Sequence, residues 1–551
     1  MVNAAIHYFP EAFTTSGAKL MGRHAAGESF IRGFFRYSRA TDVWIHVDKK
    51  SFGKQFHGRM QEYGCAKPLR VVDKASLQLL AEPGMLFCPG PGLEANAWQR
   101  TYYAPNAWSL CGITHTISTM GAMDSLAGLL TAPTQPWDAV ICTSTEAKKM
   151  VQRLWGAQAS YLQQRFKIQQ LVLPELPVMP LGIHTEDFTF SDADKAEARK
   201  HIGADDKTIV VLFAGRLSFH AKAHPLAMYQ ALENAAKQLP SGHKLMLVEF
   251  GMHANDYIRD AFKEAAAAAC PSVHVMTLHG GVTENFKYAW ASADIFCSFS
   301  DNFQETFGIT PIEAMAAGLP VVVSDWDGYK DTVRDGVDGF RIPTSMPQEG
   351  VGKVLTQRYA LEIDNYDQYC GYTSSLVAVN VEAAAEAFVK LIKSPSLRKK
   401  MGKAGRERAL STYDWANIIP QYEALWAEQE RIRKAYKPEE PLLKHPWPAR
   451  MSPLSAFASY PTETMELDTV LRASDSDAVA RFHTLKALEM VSYINTILAP
   501  DEAFEEMLKQ CVQGDKTVRQ LLEMFPQGIV QRIYISIAVL CKLGLLGIVK
   551  K

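Results

Sequence analysis

Glu305 and Glu313 stand eight positions apart, with Thr306, Phe307 and Gly308 directly after the first of them. An apolar strand pattern, 293–300, runs into this loop, and a helix is expected to begin near Phe307 or Gly308 and to stop at Gly318-Leu-Pro320. Glycine at a helix start lets a ligand approach the backbone, and exposed first-turn amides can bind an anion such as a diphosphate. Glu305 lies just before those amides. Glu313 lies five or six residues into the helix, roughly 8–9 Å along its axis at 1.5 Å per residue. Two carboxylates on either side of an anion seat suit a ligand with hydroxyls at both ends and phosphates between them. A nucleotide-sugar is such a ligand.

The second chemical signal is Ala214-Gly-Arg-Leu-Ser-Phe-His-Ala-Lys222. A strand ends in Gly-Arg-Leu and a lysine follows six residues after the arginine. A diphosphate leaving group gains negative charge as its bond to sugar breaks, so fixed cations stabilise the transition state more than the ground state. Arg216 can donate as a fork and Lys222 acts as a compact charge. His115 is placed at the C-terminal end of another predicted strand, where ligands bind in open parallel sheets.

The elements that must carry these residues alternate. Residues 1 to about 190 show strand patterns at 4–8, 43–47, 69–72, 85–88, 110–114, 139–143 and 178–181, with helical patterns between them. A second run begins at Thr208 and continues through strands at 244–250, 273–277, 294–300 and 320–324. The expected divisions are an acceptor-side α/β domain over 1–190, a nucleotide-sugar α/β domain over 191–415 and a crossing helix over 416–436. A proline-rich linker over 437–455 and an all-helical appendix over 456–551 follow. Residues 345–380 read as a polar, irregular insertion. The appendix segments are 466–498, 501–512, 517–524 and 529–548; the last two have the rhythm of a winged-helix core without a basic stripe, so packing or dimerisation is the expected role.

Composition excludes several classes. The chain has 551 residues and a net charge of −1, which gives no electrostatic case for nucleic acid. Its nine cysteines are odd in number, and Cys88, Cys142 and Cys297 fall in predicted buried strands, which suits reduced thiols in the cytoplasm. The N-terminal run lacks the basic region and long apolar stretch of a signal peptide, and no apolar run reaches membrane-spanning length. Asp325-Trp-Asp327 is literally Asp-x-Asp, but it follows the strand after the second glutamate and is read as no metal ligand. No His/Cys cluster has zinc spacing. Neither a metal nor a cofactor is expected.

The stretch around Glu305 resembles the Glu-x7-Glu motif of retaining glycosyltransferases of family 4, which have the GT-B fold. The resemblance is strong over 208–342 and weaker over 1–130. It implies two Rossmann-like domains facing a cleft, with sugar transfer from a nucleotide-diphosphate donor. It assigns Glu305 to the donor sugar, the amides of Thr306, Phe307 and Gly308 to sugar and phosphate oxygens, and Glu313 to the ribose. Arg216 and Lys222 take the leaving diphosphate, and His115 stands near the donor sugar. Gly27, in Ala26-Gly-Glu-Ser, corresponds to the glycine-led loop that opens the first long helix. The longer stretch 14–26 departs from that pattern. Gly280, in Leu278-His-Gly-Gly, lies where the family contacts the base. Met179-Pro-Leu-Gly-Ile-His184 is similar to the interdomain segment, with His184 in place of an acid or amide. The implied acceptor is a saccharide or a lipid-linked one, which would bring the protein to the inner face of a membrane; the C-terminal helices offer a route to homo-oligomers. A GT-B sugar phosphorylase, or a non-catalytic GT-B binding or regulatory protein, is the alternative.

Overall fold

The computed structural model describes residues 3–14, 22–437 and 444–549. It divides into two compact units, 1–447 and 448–551.

The larger unit is built on two six-stranded parallel sheets. The first contains β1 (Ala5–His7), β2 (Val43–His46), β3 (Leu69–Val72), β4 (Met85–Phe87), β5 (Ser109–Ile113) and β6 (Ala139–Ile141) in the order β3-β2-β1-β4-β5-β6. The second contains β7 (Thr208–Ala214), β8 (Lys244–Gly251), β9 (His274–His279), β10 (Ile295–Ser298), β11 (Val321–Ser324) and β12 (Gly339–Ile342) in the order β12-β11-β10-β7-β8-β9. Both sheets therefore have one doubly wound order, with the switch points between β1 and β4 and between β7 and β10. Helices cover both faces, which is why β7 is buried at every residue and reads as an unbroken apolar run. This is the GT-B fold.

The helices that bear on the site are α1 (Gly22–Tyr37), α2 (Thr145–Phe166), α3 (Ile309–Ala316), α4 (Lys353–Ala360), α5 (Tyr366–Ser374) and α6 (Trp415–Ala435). α6 returns from the second sheet to pack on α1 and β5. Its aromatic face meets the first half: Phe30 lies 5.8 Å from Trp415 and 5.5 Å from Tyr422, ring to ring. The buried Glu423 accepts from the Ser38 hydroxyl and from the amide and Nε of Arg39. Trp415 sits so close to Gly33 and Gly182 that a Cβ at either would lie 2.6 or 2.5 Å from its ring. Beside it the chain's two passages between the halves pair: the Ile183 amide donates to Tyr413 O and the Trp415 amide to Ile183 O.

Several expectations need correction. The segment 345–380 is ordered: β13 (Thr344–Ser345) pairs antiparallel with β14 (Ala378–Val379), and α4 and α5 fill the space between. Its helices are only eight and nine residues long, so no sustained 3.6-residue stripe shows. The pattern at 178–181 forms an isolated bridge from Val178 to Cys142 rather than a strand. The long loop expected over 14–26 is already helix from Gly22; residues 15–21, with Gly17 and Lys19, lie outside the described residues. So do 438–443 of the expected linker, while Pro446 O accepts from Thr101 and Trp447 stacks on Trp98 at 6.0 Å.

The smaller unit is mainly helical but not all-helical. β15 (Val470–Ala473) is the central strand of an antiparallel sheet, flanked by β16 (Lys516–Thr517) and β17 (Leu546–Ile548). Such strands of two to four residues are paired across 45 or more positions, so no local periodicity announces them. Helices Asp501–Gln513, Val518–Leu522 and Val530–Lys542 enclose its core, which includes Met507, Leu521, Ile533 and Leu540.

Candidate functional site

In an open parallel sheet, loops on either side of a switch point splay apart at the strands' C-terminal ends and leave a crevice. In the second half those loops follow β7 and β10. They carry Arg216 and Lys222 on one side and Gln304 to Gly308 on the other. Asn302 ties them together: its side chain donates to His220 O at 2.9 Å and accepts the Gln304 amide at 2.9 Å.

The helix start is held by close packing. Gly308, the N-cap of α3, has φ +84°, and a Cβ there would lie 1.9 Å from the Tyr329 ring. A Cβ on Gly328 would lie 2.4 Å from the Phe307 Cα. Tyr329 is fully buried, with its hydroxyl 2.8 Å from Ser298 Oγ. Only glycine fits at either point, so the turn at Thr306–Gly308 is clamped against the turn before Tyr329.

Lys222 Nζ donates to Glu305 Oε2 at 2.5 Å. Burial alone would push the Glu305 carboxyl up, but the Lys222 charge and hydrogen bond and the amides of Phe307 and Gly308 outweigh it and hold the group below its ordinary value. Two of the amides expected to face a ligand thus already face a carboxylate from the same loop. Arg216 Nη2 donates to Ala221 O at 3.0 Å and to Gln304 Oε1 at 3.2 Å. Burial raises the Glu313 carboxyl to about 7, although Lys222 pulls it down. Arg216, Lys222, Glu305, Thr306, Phe307, Gly308 and Glu313 therefore share one crevice.

Gly280 lies at the edge of that region. Its amide donates to Gly251 O, and a Cβ on Gly251 would lie 1.9 Å from Gly215 O. The ends of β7, β8 and β9 thus meet backbone to backbone and present peptide groups rather than side chains.

The first half supplies the facing wall. Thr143 Oγ1 donates to Thr306 O at 3.4 Å, Ser144 Oγ donates to Asp327 Oδ1 at 3.4 Å, and the Thr145 amide donates to Asp331 Oδ2 at 2.6 Å. His115 follows β5 and is half-buried; burial, assisted by the nearby charge of Arg23, lowers it to about 4, so its ring is neutral near pH 7. Gly27 is not at a helix start. It lies inside α1, where a Cβ would come within 2.0 Å of Ala12 O, so its role here is to let the turn after β1 pack on the helix.

Two functional candidates have no motif in the sequence that names them for this chemistry. Gln304 joins the arginine to the glutamate loop. Asp327 holds φ +42°, a strained value for a non-glycine residue, and its carboxyl is buried with Oδ2 unpartnered. Burial and the adjacent Glu305 raise it well above the usual range. Its Asp-x-Asp spelling was a signal, though for a different chemistry. Asp325 does not join it but lies 3.5 Å from Arg341. Among the described residues one trio, His7, His46 and Asp48, gathers metal-capable atoms within 4.8 Å at the ends of β1 and β2. Lys74 lies 2.9 Å from Asp48 and supplies the positive charge that carboxylate needs, so the trio reads as a closed polar cluster. All nine cysteines are free thiols, and no helix of the described residues is long and apolar enough to cross a membrane.

Residues 194–357 match the model of the family described as glycosyl transferases group 1, and this span contains both cations and both glutamates. Among curated relatives, phosphatidyl-myo-inositol mannosyltransferase of Mycobacterium leprae is 28% identical over 28% of this chain and 36% of its own length. The D-inositol 3-phosphate glycosyltransferase of Geodermatophilus obscurus is 29% identical over 33% of this chain and 41% of its own. The chain thus spans well under two thirds of these relatives. The solved structure of HepE from Anabaena, in complex with UDP, superposes with a TM-score of 0.51 at 15% identity, covering 78% of this chain and all of that one. That likeness is one of fold.

Proposed function

We propose that this chain is a retaining glycosyltransferase that moves a sugar from a nucleoside-diphosphate donor to a saccharide or lipid-linked acceptor. The observation that carries the reading is the Lys222–Glu305 pair at the start of α3, with Arg216 held beside it and Glu313 in the same crevice. The group 1 match over 194–357 supports the reaction class, and the UDP bound by the Anabaena protein supports a nucleotide donor.

On this reading the diphosphate lies against the β7 loop and the N-terminus of α3, where Arg216 and Lys222 neutralise charge developing on the leaving oxygen. Glu305 fixes the sugar through its hydroxyls, and Glu313 receives the ribose. Retention follows if the acceptor attacks on the face the diphosphate leaves, with a phosphate oxygen taking the acceptor's proton. That route needs no protein base, and the neutral His115 ring is suited to a hydrogen bond rather than a charge. Two named relatives act on inositol-based compounds, so polyols and their phosphate or lipid esters are the first acceptors to try.

A thermal-shift panel of nucleotide-sugars and sugar phosphates tests the reading. A donor at a hundred times its dissociation constant adds about 2.7 kcal/mol of stability. Stabilisation by a nucleotide-sugar and its free diphosphate is expected. Stabilisation by sugar 1-phosphates alone would favour a phosphorylase, and none by any of them would reject the donor site.

A further inference from the structure

A line of polar side chains, hydrogen-bonded at both ends, joins the first half to Arg216 through the segment that was expected to be irregular. Ser118, in the loop after β5, lies 2.8 Å from the Tyr366 hydroxyl on α5. One helical turn on, the Cys370 thiol stands next to that hydroxyl, near enough for each to bear on the other's proton affinity. Gln304 Nε2 donates to Cys370 Sγ at 3.4 Å, and Gln304 Oε1 accepts from Arg216 Nη2 at 3.2 Å. Cys370 is fully buried and Ser118 is 8% exposed. A second tie runs alongside: the Met120 amide donates to the Tyr359 hydroxyl of α4, and Tyr359 stacks on Tyr369 at 4.2 Å.

The chemistry of the links is directional. A guanidinium only donates, so the Gln304 carbonyl must face Arg216 and its NH2 must face the thiol. The Gln304 backbone is itself fixed by Asn302 and adjoins Glu305. A partly buried polar chain is costly unless every member is satisfied, and a fully satisfied one specifies a single geometry. An apolar α5 would have closed the same space without aiming a guanidinium.

We propose that Tyr366, Cys370 and Gln304 form a positioning relay that sets the Arg216 guanidinium for the leaving diphosphate, and that its anchor at Ser118 makes this setting depend on closure of the two halves. The proposal rests on the glycosyltransferase reading for what Arg216 does. It gives the α4–α5 segment a role in turnover. When the halves part, the bonds at Ser118 and Met120 break first on the acceptor side, and the arginine loses its support on the donor side. Charge stabilisation would then be fully assembled only in the closed state.

The test uses the full chain with Tyr366→Phe, which keeps the ring, and Gln304→Ala. Each should lower kcat for donor turnover about tenfold while the Kd of the free nucleoside diphosphate changes less than about threefold, the pattern of an interaction strengthened in the transition state. In an Arg216→Lys background the same changes should cost little more, because lysine has no fork to aim. Retention of kcat within about twofold of wild type by both variants, or losses that multiply fully with Arg216→Lys, would overturn the relay. A readout without substrate separates the two readings: alkylation of Cys370, located by mass spectrometry, should be slow in the wild type and faster in Tyr366→Phe and Ser118→Ala. If the wild type turns over no donor, the glycosyltransferase reading fails. Unchanged alkylation in both variants would then overturn the relay as well, whereas faster alkylation would uphold the bridge between the halves and remove only its role toward diphosphate.

Discussion

Lys222 and Glu305 meet at 2.5 Å across the crevice between the loops that follow β7 and β10, and the amides of Phe307 and Gly308 help to hold the same carboxyl below its ordinary value. One carboxylate thus pairs with a cation and faces a helix start at once. A donor entering this crevice meets a charge-balanced pair rather than a bare cation, and its hydroxyls and phosphates must share partners already in use.

Glu305→Gln keeps the shape of the side chain but removes its charge and turns one of its two acceptor oxygens into a donor. Sugar transfer should fall at least tenfold to a hundredfold, since a hydrogen bond to a charged group contributes about 1.5–3 kcal/mol. Circular dichroism and melting should show an intact fold. Wild-type turnover by the folded variant would remove Glu305 from the site.

Arg216→Ala and Lys222→Ala should each cost chemistry more than donor binding, by about 2.7–4 kcal/mol of barrier if they act like single oxyanion donors. Lys222→Ala carries a second penalty, because it leaves the buried Glu305 carboxylate without its cation. The double variant Lys222→Met with Glu305→Gln should recover thermal stability and no activity. A double variant as unstable as Lys222→Ala would show that the pair does not hold the loops together.

Glu313 gives the free protein a pH signature. Its carboxyl is raised to about 7 by burial, so between its ordinary value near 4.5 and about 7 the folded chain holds a proton that the unfolded chain releases. Its contribution to stability is therefore lost as pH rises through that window and is fully lost above it. Glu313→Gln should melt higher than wild type at pH 8, by about 1–3 kcal/mol, and converge with it below about pH 4.5. Glu249 and Asp301, also raised to about 7 by burial, titrate in the same window and are unchanged by the substitution, so the difference between the two melting curves reports Glu313. Nucleotide titrations on Glu313→Ala should show weaker competition by the free diphosphate.

Transfer should survive EDTA, because two cations occupy the place where a metal would balance the leaving group. Loss on chelation, restored by Mn²⁺ or Mg²⁺, would instead make Asp325 and Asp327 ligands.

A chain ending at Trp447 should fold and bind nucleotide as the full chain does. The named donor residues precede that point, and Trp447 and Pro446 are anchored on Trp98 and Thr101 of the larger unit. Calorimetric titration decides: a monodisperse 1–447 chain that binds no nucleotide would make the smaller unit part of the catalytic frame.

Much of the fold was legible because parallel strands buried on both faces write themselves as apolar runs; β7 and β11 are plain in the sequence. The cations and Glu305 were legible because each lies in a short loop that follows a strand, and Glu313 because it sits at a fixed spacing from Glu305 in the helix that loop opens. Ser118, Tyr366, Cys370 and Gln304 were not, since their partners are up to 248 positions apart and a lone tyrosine or cysteine carries no spacing signal. β15 and β17 were hidden for a related reason: strands this short acquire their identity only from a distant neighbour. Gly27 misled because a glycine near a helix start looks the same whether it faces a ligand or another stretch of backbone.

The paired passages beside Trp415 have a mechanical consequence. Because Ile183 is hydrogen-bonded to both Tyr413 and Trp415, the two connections cannot slide past one another without breaking that ladder, and they bend together like a strip with one compliant direction. The indole pressed against Gly33 and Gly182 serves as the fulcrum. A motion that bends the chain at these passages would be confined to something close to one angular coordinate. A single bulky residue at position 182 would shift the rest angle of that coordinate, and so the timing of turnover, without touching any group that meets the sugar.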